Sequence, residues 1–590
     1  MCGIAGIMMA DGSALSESLL DILESALAHR GPDGKGRHVG PGLGLLQTRL
    51  AIIDLKTGDQ PLYGPAASVL VANGEIYNYI ELKREFARER FATYSDCELP
   101  LMTYARDGAD FAKALRGMYA IALGDPSSRT LYLARDPFGI KPLYYAQIRN
   151  GIVFASEPQA ILKTGLVPRR TRREAASELV QLQFTTGTET IFAGIHRVAP
   201  GETMIVKEGR IAGRKQINAL PDEPPLKLDE DEALTLLDAA LMDSVAVHQR
   251  SDVPYGMFLS GGIDSSALLA CMAKLNDRPV RAFTAGFPGT AARDEREHAK
   301  DVARAAGAEH IEVEVGEKDF WTHLPAIAGA MDDPAADYVV LPTYLLAREA
   351  AKELKVVLTG EGGDELFAGY GRYRSVLRSS WLGGRKMRRR GLLDQLGVLR
   401  DSSKHWRDGI EAEELRIGAG KGTALQKAQA LDCADWLPND LLLKVDRCLM
   451  AHALEGRTPF LDVRVAELAF RLPDALKIRN GLGKHLLRKW LARALPVADA
   501  FSKKRGFTVP VAEWMAPRAR KLGAMVAKSA GVAEICFPEK LEALFSAFGD
   551  KSGKHEGAAC WQLLFYALWH GIHVEAKAPD QDVFASLERE

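Results

Sequence analysis

Cys2 is followed by Gly3, Ile4, Ala5 and Gly6, so removal of Met1 leaves a thiol and a free α-amine on one residue. Such a residue carries its own base, because an α-amine with a pKa of ~8 exchanges protons with a thiol of ~8.5 near neutrality. The substrate that needs this help is a weak electrophile such as an amide, whose oxyanion requires preset donors. "NGEIYN" (Asn73 to Asn78) offers the Asn73 side-chain amide and the Gly74 N–H for that purpose, although Asn-Gly is also the commonest hairpin turn. Arg49, in "TRLAIIDL" (Thr48 to Leu55), has the geometry to grip a carboxylate with two parallel hydrogen bonds, or to form a surface ion pair. "HRGPDG" (His29 to Gly34) supplies a glycine- and proline-shaped turn, and Asp96 in "SDCE" can receive an ammonium or lie in solvent.

A second cluster lies far along the chain. "FLSGGIDSS" (Phe258 to Ser266) places two glycines and the hydroxyls of Ser260, Ser265 and Ser266 between a strand pattern and a helix pattern. Backbone N–H groups, hydroxyls and a helix N-terminus together suit a phosphate, or else form an ordinary turn. The Walker A spacing is absent. "LTGEGGDELFAGY" (Leu358 to Tyr370) also follows an apolar strand pattern, and its acids Glu361, Asp364 and Glu365 read either as ligands or as helix N-terminal residues.

These residues need a frame of at least two cores, since 590 residues exceed what one core organises. Residues 1–210 alternate short β-type runs with turns: Gly44 to Leu46, Ala51 to Asp54, Ser68 to Asn73, Met118 to Leu123, Thr130 to Ala134, Leu143 to Ala146, Ile152 to Ala155 and Glu202 to Val206. With helical patterns at Leu15 to Ala28 and Tyr79 to Arg88, this predicts two layers of mostly antiparallel strands with helices packed on them. The polar, proline-bearing stretch Pro221 to Glu230 marks a linker, set at 211–235, before a long helix from Asp231 to His248. From Pro254 the rhythm becomes strand, turn, helix, which indicates a parallel α/β sheet with ligands at the carboxyl ends of its strands. Residues 236–520 form this second domain, and 521–590 a helical extension packed on it. The basic run Gly383 to Arg390 reads as a solvated face.

Composition narrows the partners. With 47% hydrophobic and 26% charged residues and a formal charge of -1, the chain has the profile of a globular protein without affinity for nucleic acid or anionic membranes. It contains no run of about 18 apolar residues, and no signal peptide or myristoylation signal is recognisable, so a cytoplasmic location is expected. Seven scattered cysteines without a CxxC pair argue for free thiols and against zinc.

Cys2, Arg49, Asn73, Gly74, Glu75 and Asp96, with "ARDPFGIKPLYY" (Ala134 to Tyr145) and "FASE" (Phe154 to Glu157), resemble the class II glutamine amidotransferases, the N-terminal-nucleophile glutaminases. The resemblance implies a four-layer α+β sandwich in which Cys2 attacks the carboxamide of glutamine and Asn73 and Gly74 stabilise the oxyanion. Arg49, Glu75 and Asp96 would hold the amino-acid end, with Leu50, Ala51, Ile52, Ile53, Asn73 and Gly74 completing the glutamine site. "SGGIDSS" resembles the pyrophosphate loop of ATP pyrophosphatases. The whole order of segments, including "FTAGF", "KVDRCLMAHALEGRTPFLD", "GKHLLRKW", "KKRGFTVPVAEW" and "CWQLLFYALWH", is similar over nearly the full length to glutamine-dependent asparagine synthetases.

That family resemblance implies a doubly wound ATP-pyrophosphatase domain in an α/β multi-domain chain. It assigns Leu259 and Ala285 to adenosine, and Ser260, Gly261, Gly262, Asp264 and Ser265 to phosphate and metal. Thr359 and Gly360 would lie against the nucleotide, and Asp264 and Asp364 would bind Mg²⁺. Glu361 would deprotonate incoming ammonium and Lys504 would neutralise adenylate and pyrophosphate. The substrates implied are glutamine, aspartate and ATP, and a homodimer is allowed for. Gly456, Thr458 and Tyr338 depart from the family pattern in segments expected to border the acceptor pocket. The rival readings are another carboxylate acceptor, a peptide, cell-envelope or specialised-metabolite carboxylate, or a β-lactam-forming relative. A sugar-phosphate amidotransferase and a non-catalytic glutamine or nucleotide sensor are further rivals.

Overall fold

The computed structural model describes residues 2–292, 294–378, 387–401, 405–502, 508–551, 553–579 and 581–588. Two six-stranded sheets occupy the first part. One runs in the order His196–Arg197, Tyr144–Ile148, Gly151–Ala155, Gly3–Met9, Leu43–Arg49, Gly34–Gly40. The other runs Arg210–Gln216, Glu202–Lys207, Thr130–Arg135, Gly117–Asp125, Val69–Ile76, Leu62–Tyr63. Their strand pairs are antiparallel, and side chains of period two divide each sheet between two cores. Ile4 and Met8 point with Leu45, Val71 and Ala122 into the space between the sheets. Ala5 and Ile7 point the other way, onto Leu20, Leu23 and Leu27 of the helix Glu17–Leu27. The second sheet's outer face packs on the helix Leu99–Asp107. Helix, sheet, sheet and helix thus form four layers.

Sequence and structure differ in three places here. No strand is legible over Gly3–Met9, yet it lies inside its sheet. Its glycines lower strand propensity, but a Cβ on Gly6 would meet the Gly44 carbonyl oxygen at 2.4 Å, so close packing demands them. Ala51 to Asp54 is a turn, not a strand: Asp54 has φ of +56°, and the carbonyls of Ile53 and Asp54 fold back onto Arg49. Finally, Arg210–Gln216 pairs with Glu202–Lys207 inside the stretch expected as linker.

The third sheet is parallel, in the order Glu309–Glu314, Arg281–Gly286, Tyr255–Phe258, Val356–Leu358, Glu455–Arg457. Strand order reverses beside Tyr255–Phe258, which opens a crevice at the carboxyl ends where α/β sheets bind ligands. The helix Glu230–His248 begins with an Asp229 capping box and lays Leu234, Leu237, Leu241 and Val245 onto this unit. The helix Lys554–His573 is buried almost throughout, and its Trp561 and Trp569 donate to the carbonyls of Ala336 and Met331. It also touches the first part, where Trp569 packs on Phe192 and Gln159 bonds His573. Of the basic run, residues 383–386 lie outside the described residues. Arg388 is not on a solvated face, since its guanidinium stacks on Trp436 at 4.1 Å and pairs with Asp432.

The seam between the two parts is apolar in one patch and charged around it. Leu50, Ile52, Tyr77, Met118 and Ile140 share a core with residues of the parallel-sheet unit. Around them, buried Arg30 pairs with Asp446 at 2.9 Å, Arg116 with Asp462 at 2.8 Å and Arg197 with Asp333 at 2.7 Å.

Candidate active sites

Cys2 stands at the head of the strand Gly3–Met9 and is 8% exposed. Its backbone nitrogen donates to Asn73 Oδ1 at 3.0 Å, and its carbonyl accepts from Arg30 Nε at 3.2 Å. Burial pushes the thiol up, while the positive chain terminus, the Leu50 N–H and Arg49 draw it back. Asn73 is fully buried in the strand Val69–Ile76, and its side-chain nitrogen has no hydrogen-bond partner among the described residues. A buried donor left open beside a thiol is what an oxyanion would satisfy. At Gly74 a Cβ would lie 2.1 Å from the Met118 carbonyl oxygen, so only glycine fits beside Asn73.

The remaining residues expected at this site converge, but not all are open. Arg49 is held by Asp59 at 2.7 Å and by the Asp54 carbonyl at 2.5 Å; Asp59 is largely exposed, which leaves that carboxylate exchangeable. Asp96 is buried and accepts the Ile76 N–H at 2.7 Å, and burial raises its pKa. Glu75 is raised well above the usual carboxylate range by burial and by Asp96 and Glu455. Its Oε2 lies 3.4 Å from Arg457 Nη2. Leu50, Ala51, Ile52 and Ile53 are buried after Arg49, with Leu50, Ile52 and Ile53 in the seam.

Arg457 and Glu455 come from the edge strand of the parallel sheet and were not singled out by sequence. Burial opposes ionisation of Glu455, yet the chain terminus, Arg457 and Lys141 bring its pKa down to about 2. The available signal was two opposite charges two positions apart in "LEGRTPFLD", between Leu454 and the apolar Pro459 to Leu461.

The second site is a cavity of about 320 Å³ at the crevice of the parallel sheet. Leu259, Ser260, Asp264, Ser265, Ala285, Thr359, Gly360, Glu361 and Asp364 all line it. Gly261 and Gly262 form the turn beneath: Gly261 has φ of +65°, and Ser265 Oγ donates to the Gly262 carbonyl at 3.2 Å at the head of the helix Ile263–Leu275. Ser266 is buried behind this turn and does not line the cavity. Lys504 lies outside the described residues.

Asp264 and Asp364 approach one another closely enough to share the Lys484 ammonium. The space between them is kept by missing side chains, since a Cβ on Gly363 would come within 2.4 Å of Asp264 Oδ1. Two carboxylates with room for phosphate oxygens form the donor set that Mg²⁺ takes in nucleotide sites.

Lys444, another residue that sequence did not single out, reaches the same cavity. It is buried and paired with Asp337 at 2.8 Å. Burial would lower its pKa, but Asp337 and Glu361 hold the ammonium charged. Burial raises the Glu361 carboxyl above its ordinary range, with Lys444 pulling it back. A carboxylate raised in this way is a stronger base than a solvated one, which suits it to taking a proton from ammonium. The departures noted in sequence fall elsewhere: Val339, Pro342 and Thr343 form the wall, whereas Tyr338, Gly456 and Thr458 do not line the cavity.

Comparison with known families agrees with this division of chemistry. A glutamine amidotransferase domain family matches residues 1–216 and the asparagine synthase family matches residues 236–571. Asparagine synthetase [glutamine-hydrolyzing] 1 of Bacillus subtilis is 33% identical, with 98% of each chain covered. A putative asparagine synthetase [glutamine-hydrolyzing] of Mycobacterium bovis is 33% identical, again over 98% of each chain. Amidase chry2 of Gibberella zeae is 27% identical over 96% of this chain and 97% of its own. The chain belongs to the glutamine-hydrolysing asparagine synthetase family, carbon–nitrogen ligases that draw their amide nitrogen from glutamine.

Proposed function

We propose that glutamine is hydrolysed at Cys2 and that the ammonia amidates aspartate activated by ATP as β-aspartyl-AMP, giving asparagine, glutamate, AMP and pyrophosphate. The observation that carries this reading is the pairing of two complementary centres across one buried seam. Cys2 and Asn73 lie on one side, and a cavity with Asp264, Glu361, Asp364 and Lys444 lies on the other.

Attack of Cys2 Sγ on the carboxamide carbon drives charge onto oxygen, to which the open Asn73 amide nitrogen and the Gly74 N–H donate. The Cys2 amine takes the thiol proton and returns it to the departing ammonia, and water then releases glutamate. Arg49, Glu75 and Asp96, with Leu50 to Ile53, hold the amino-acid end. Ammonia crosses at the apolar patch of Leu50, Ile52, Met118 and Ile140, a dry route that favours the uncharged form.

In the second cavity the aspartate β-carboxylate attacks the α-phosphorus of ATP and pyrophosphate leaves. Asp264 and Asp364 would hold Mg²⁺, which when bound supplies positive charge to the phosphates. Lys444 holds an acceptor carboxylate, and Lys504 balances charge on the adenylate. Glu361 removes a proton from the nitrogen as it adds to the acyl carbon, and AMP departs.

Amidation of a different carboxylate is the second reading, supported by the apolar wall of Val339, Pro342 and Leu346 and by the likeness to an amidase. Pyrophosphate release by the purified chain, measured with ammonia, ATP and a panel of carboxylates, separates the two. The aspartate reading requires release to depend on aspartate; release with another carboxylate and none with aspartate overturns it.

A further inference from the structure

Lys484 precedes the helix His485–Ala494 and is almost completely buried. Its ammonium pairs with Asp264 and lies 2.7 Å from Asp364 Oδ1, the two carboxylates proposed above for the divalent cation. Several backbone features fix it there without help from the side chain. Lys484 has φ of +59°, and Ala368 on the facing turn has φ of +57°, both left-handed positions that a Cβ disfavours. The two turns are docked: the Lys484 N–H donates to the Phe367 carbonyl at 2.9 Å, and a Cβ on Gly483 would fall 2.1 Å from the Ala368 carbonyl oxygen. A Cβ on Gly369 would lie 1.8 Å from Asp364 Oδ1 and 2.2 Å from Lys484 Cε, so any side chain there would push carboxylate and ammonium apart. Strained backbone of this kind persists where its surroundings over-determine it, and it clusters at functional sites.

The consequence is electrostatic. The Lys484 ammonium offsets part of the negative charge of the two carboxylates, and Arg488 also feels both of them, in a partly desolvated pocket where a divalent ion draws on that same charge. An ion arriving alone meets a cation already seated between its ligands. An ion arriving on a polyphosphate brings anionic oxygens that both the ion and the ammonium can share.

We infer that Lys484 is a resident counter-ion that closes the Asp264 and Asp364 pair until nucleotide arrives, so that a divalent cation enters only together with a polyphosphate. The inference rests on the reading that this pair receives the cation. Its test uses Mn²⁺ as the probe, bound ions being counted by electron paramagnetic resonance on the full chain, without acceptor or turnover. Without nucleotide, K484Q takes up one Mn²⁺ at least about tenfold more tightly than the parent chain, while K484R behaves as the parent. Far-ultraviolet circular dichroism and a thermal midpoint without Mn²⁺ equal to the parent's show that the variants are folded. Equal Mn²⁺ affinity in K484Q and the parent overturns the inference. D264N distinguishes the levels: loss of Mn²⁺ uptake with a non-hydrolysable ATP analogue keeps the carboxylate assignment, whereas unaltered uptake removes it and the inference with it. Should K484Q not fold, the parent's thermal midpoint decides. Mn²⁺ alone must leave it unmoved and Mn²⁺ with the analogue must raise it; a rise with Mn²⁺ alone overturns the inference.

Discussion

In the antiparallel half, the reacting residue is held through its own main chain by the Asn73 carboxamide and the Arg30 guanidinium. Cys2 begins a strand, its nitrogen is tied to Asn73, and the Asn73 amide nitrogen stands open toward whatever occupies the site. In the parallel half, the cavity is held by ion pairs: Lys484 with Asp264 and Asp364, and Lys444 with Asp337. The first arrangement has donors waiting and needs little rearrangement to meet charge that appears on oxygen. The second has its ammonium groups already paired with carboxylates, so substrate must exchange partners with them. Preorganised dipoles suit a reaction whose charge develops at one atom, whereas exchangeable ion pairs suit a triphosphate that arrives charged and leaves in pieces.

The difference can be broken most sharply at Cys2. Cys2→Ala is expected to lower glutamine-dependent amidation by at least about a thousandfold while ammonia-dependent pyrophosphate release stays within about twofold. Parallel assays with the two nitrogen sources measure this, and loss of both would show that the halves are not separate centres. Glu361→Gln should give the reverse, with amide formation from either source falling by roughly 10² to 10⁴ and glutaminase turnover intact. An E361Q protein that forms amide normally would remove Glu361 as the base. Next in size is Asn73→Ala, for which removal of one oxyanion donor predicts a loss of about 10² to 10³ in kcat for glutamine hydrolysis. A change in KM alone would mean that Asn73 binds the ground state.

How much of this was legible in sequence follows the same division. Cys2, Asn73 and the SGGIDSS turn announce themselves because their chemistry depends on local order: a terminal thiol, a glycine that cannot be replaced, hydroxyls at a helix head. Arg457, Glu455 and Lys444 do not, because each acquires its meaning only when the parallel sheet brings it to a partner distant in sequence. Glu75 is 382 positions from Arg457, and Asp337 is 107 from Lys444. The strand Gly3–Met9 escaped for a different reason, since its glycines serve tight sheet packing and mask the usual β-type pattern. Ala51 to Asp54 misled in the opposite sense: its apolar run is buried by the seam, not by a sheet.

The seam offers a smaller test of whether the second cavity depends on the first half. Asp333 receives Arg197 Nε and Nη2 at 2.7 and 2.8 Å and the Tyr144 hydroxyl at 2.9 Å, all from the antiparallel half. It lies four residues before Asp337, the partner of Lys444. Asp333→Asn would leave a buried guanidinium without its counter-charge, at a cost of about 3 to 5 kcal/mol. Denaturant midpoints would register it, and a change below about 1 kcal/mol would mean that the pair is dispensable for holding the halves together.

The least of these effects concerns pH. Glu178, on the helix Arg173–Leu182, is buried and accepts the Thr186 hydroxyl and N–H. Burial raises its pKa to about 7, and Asp435 of the parallel half adds to the rise. Asp435 itself is raised to about 6, mainly by burial. Both carboxyls therefore hold protons in the folded chain that they have lost in the unfolded one. Folded protein binds the additional proton, so stability is greatest below the unfolded values and falls as pH climbs through about 6 to 7. For Glu178 the fall amounts to at most about 3 kcal/mol. Glu178→Gln keeps an oxygen to accept from Thr186 but carries no charge, so it should flatten that decline and stabilise the chain most at alkaline pH. Unfolding midpoints from pH 4 to pH 8 supply the measurement. A parent chain whose stability rises across this window would make Glu178 and Asp435 charged, well-solvated carboxylates, and their contrast with the ion-paired carboxylates of the same seam would fail.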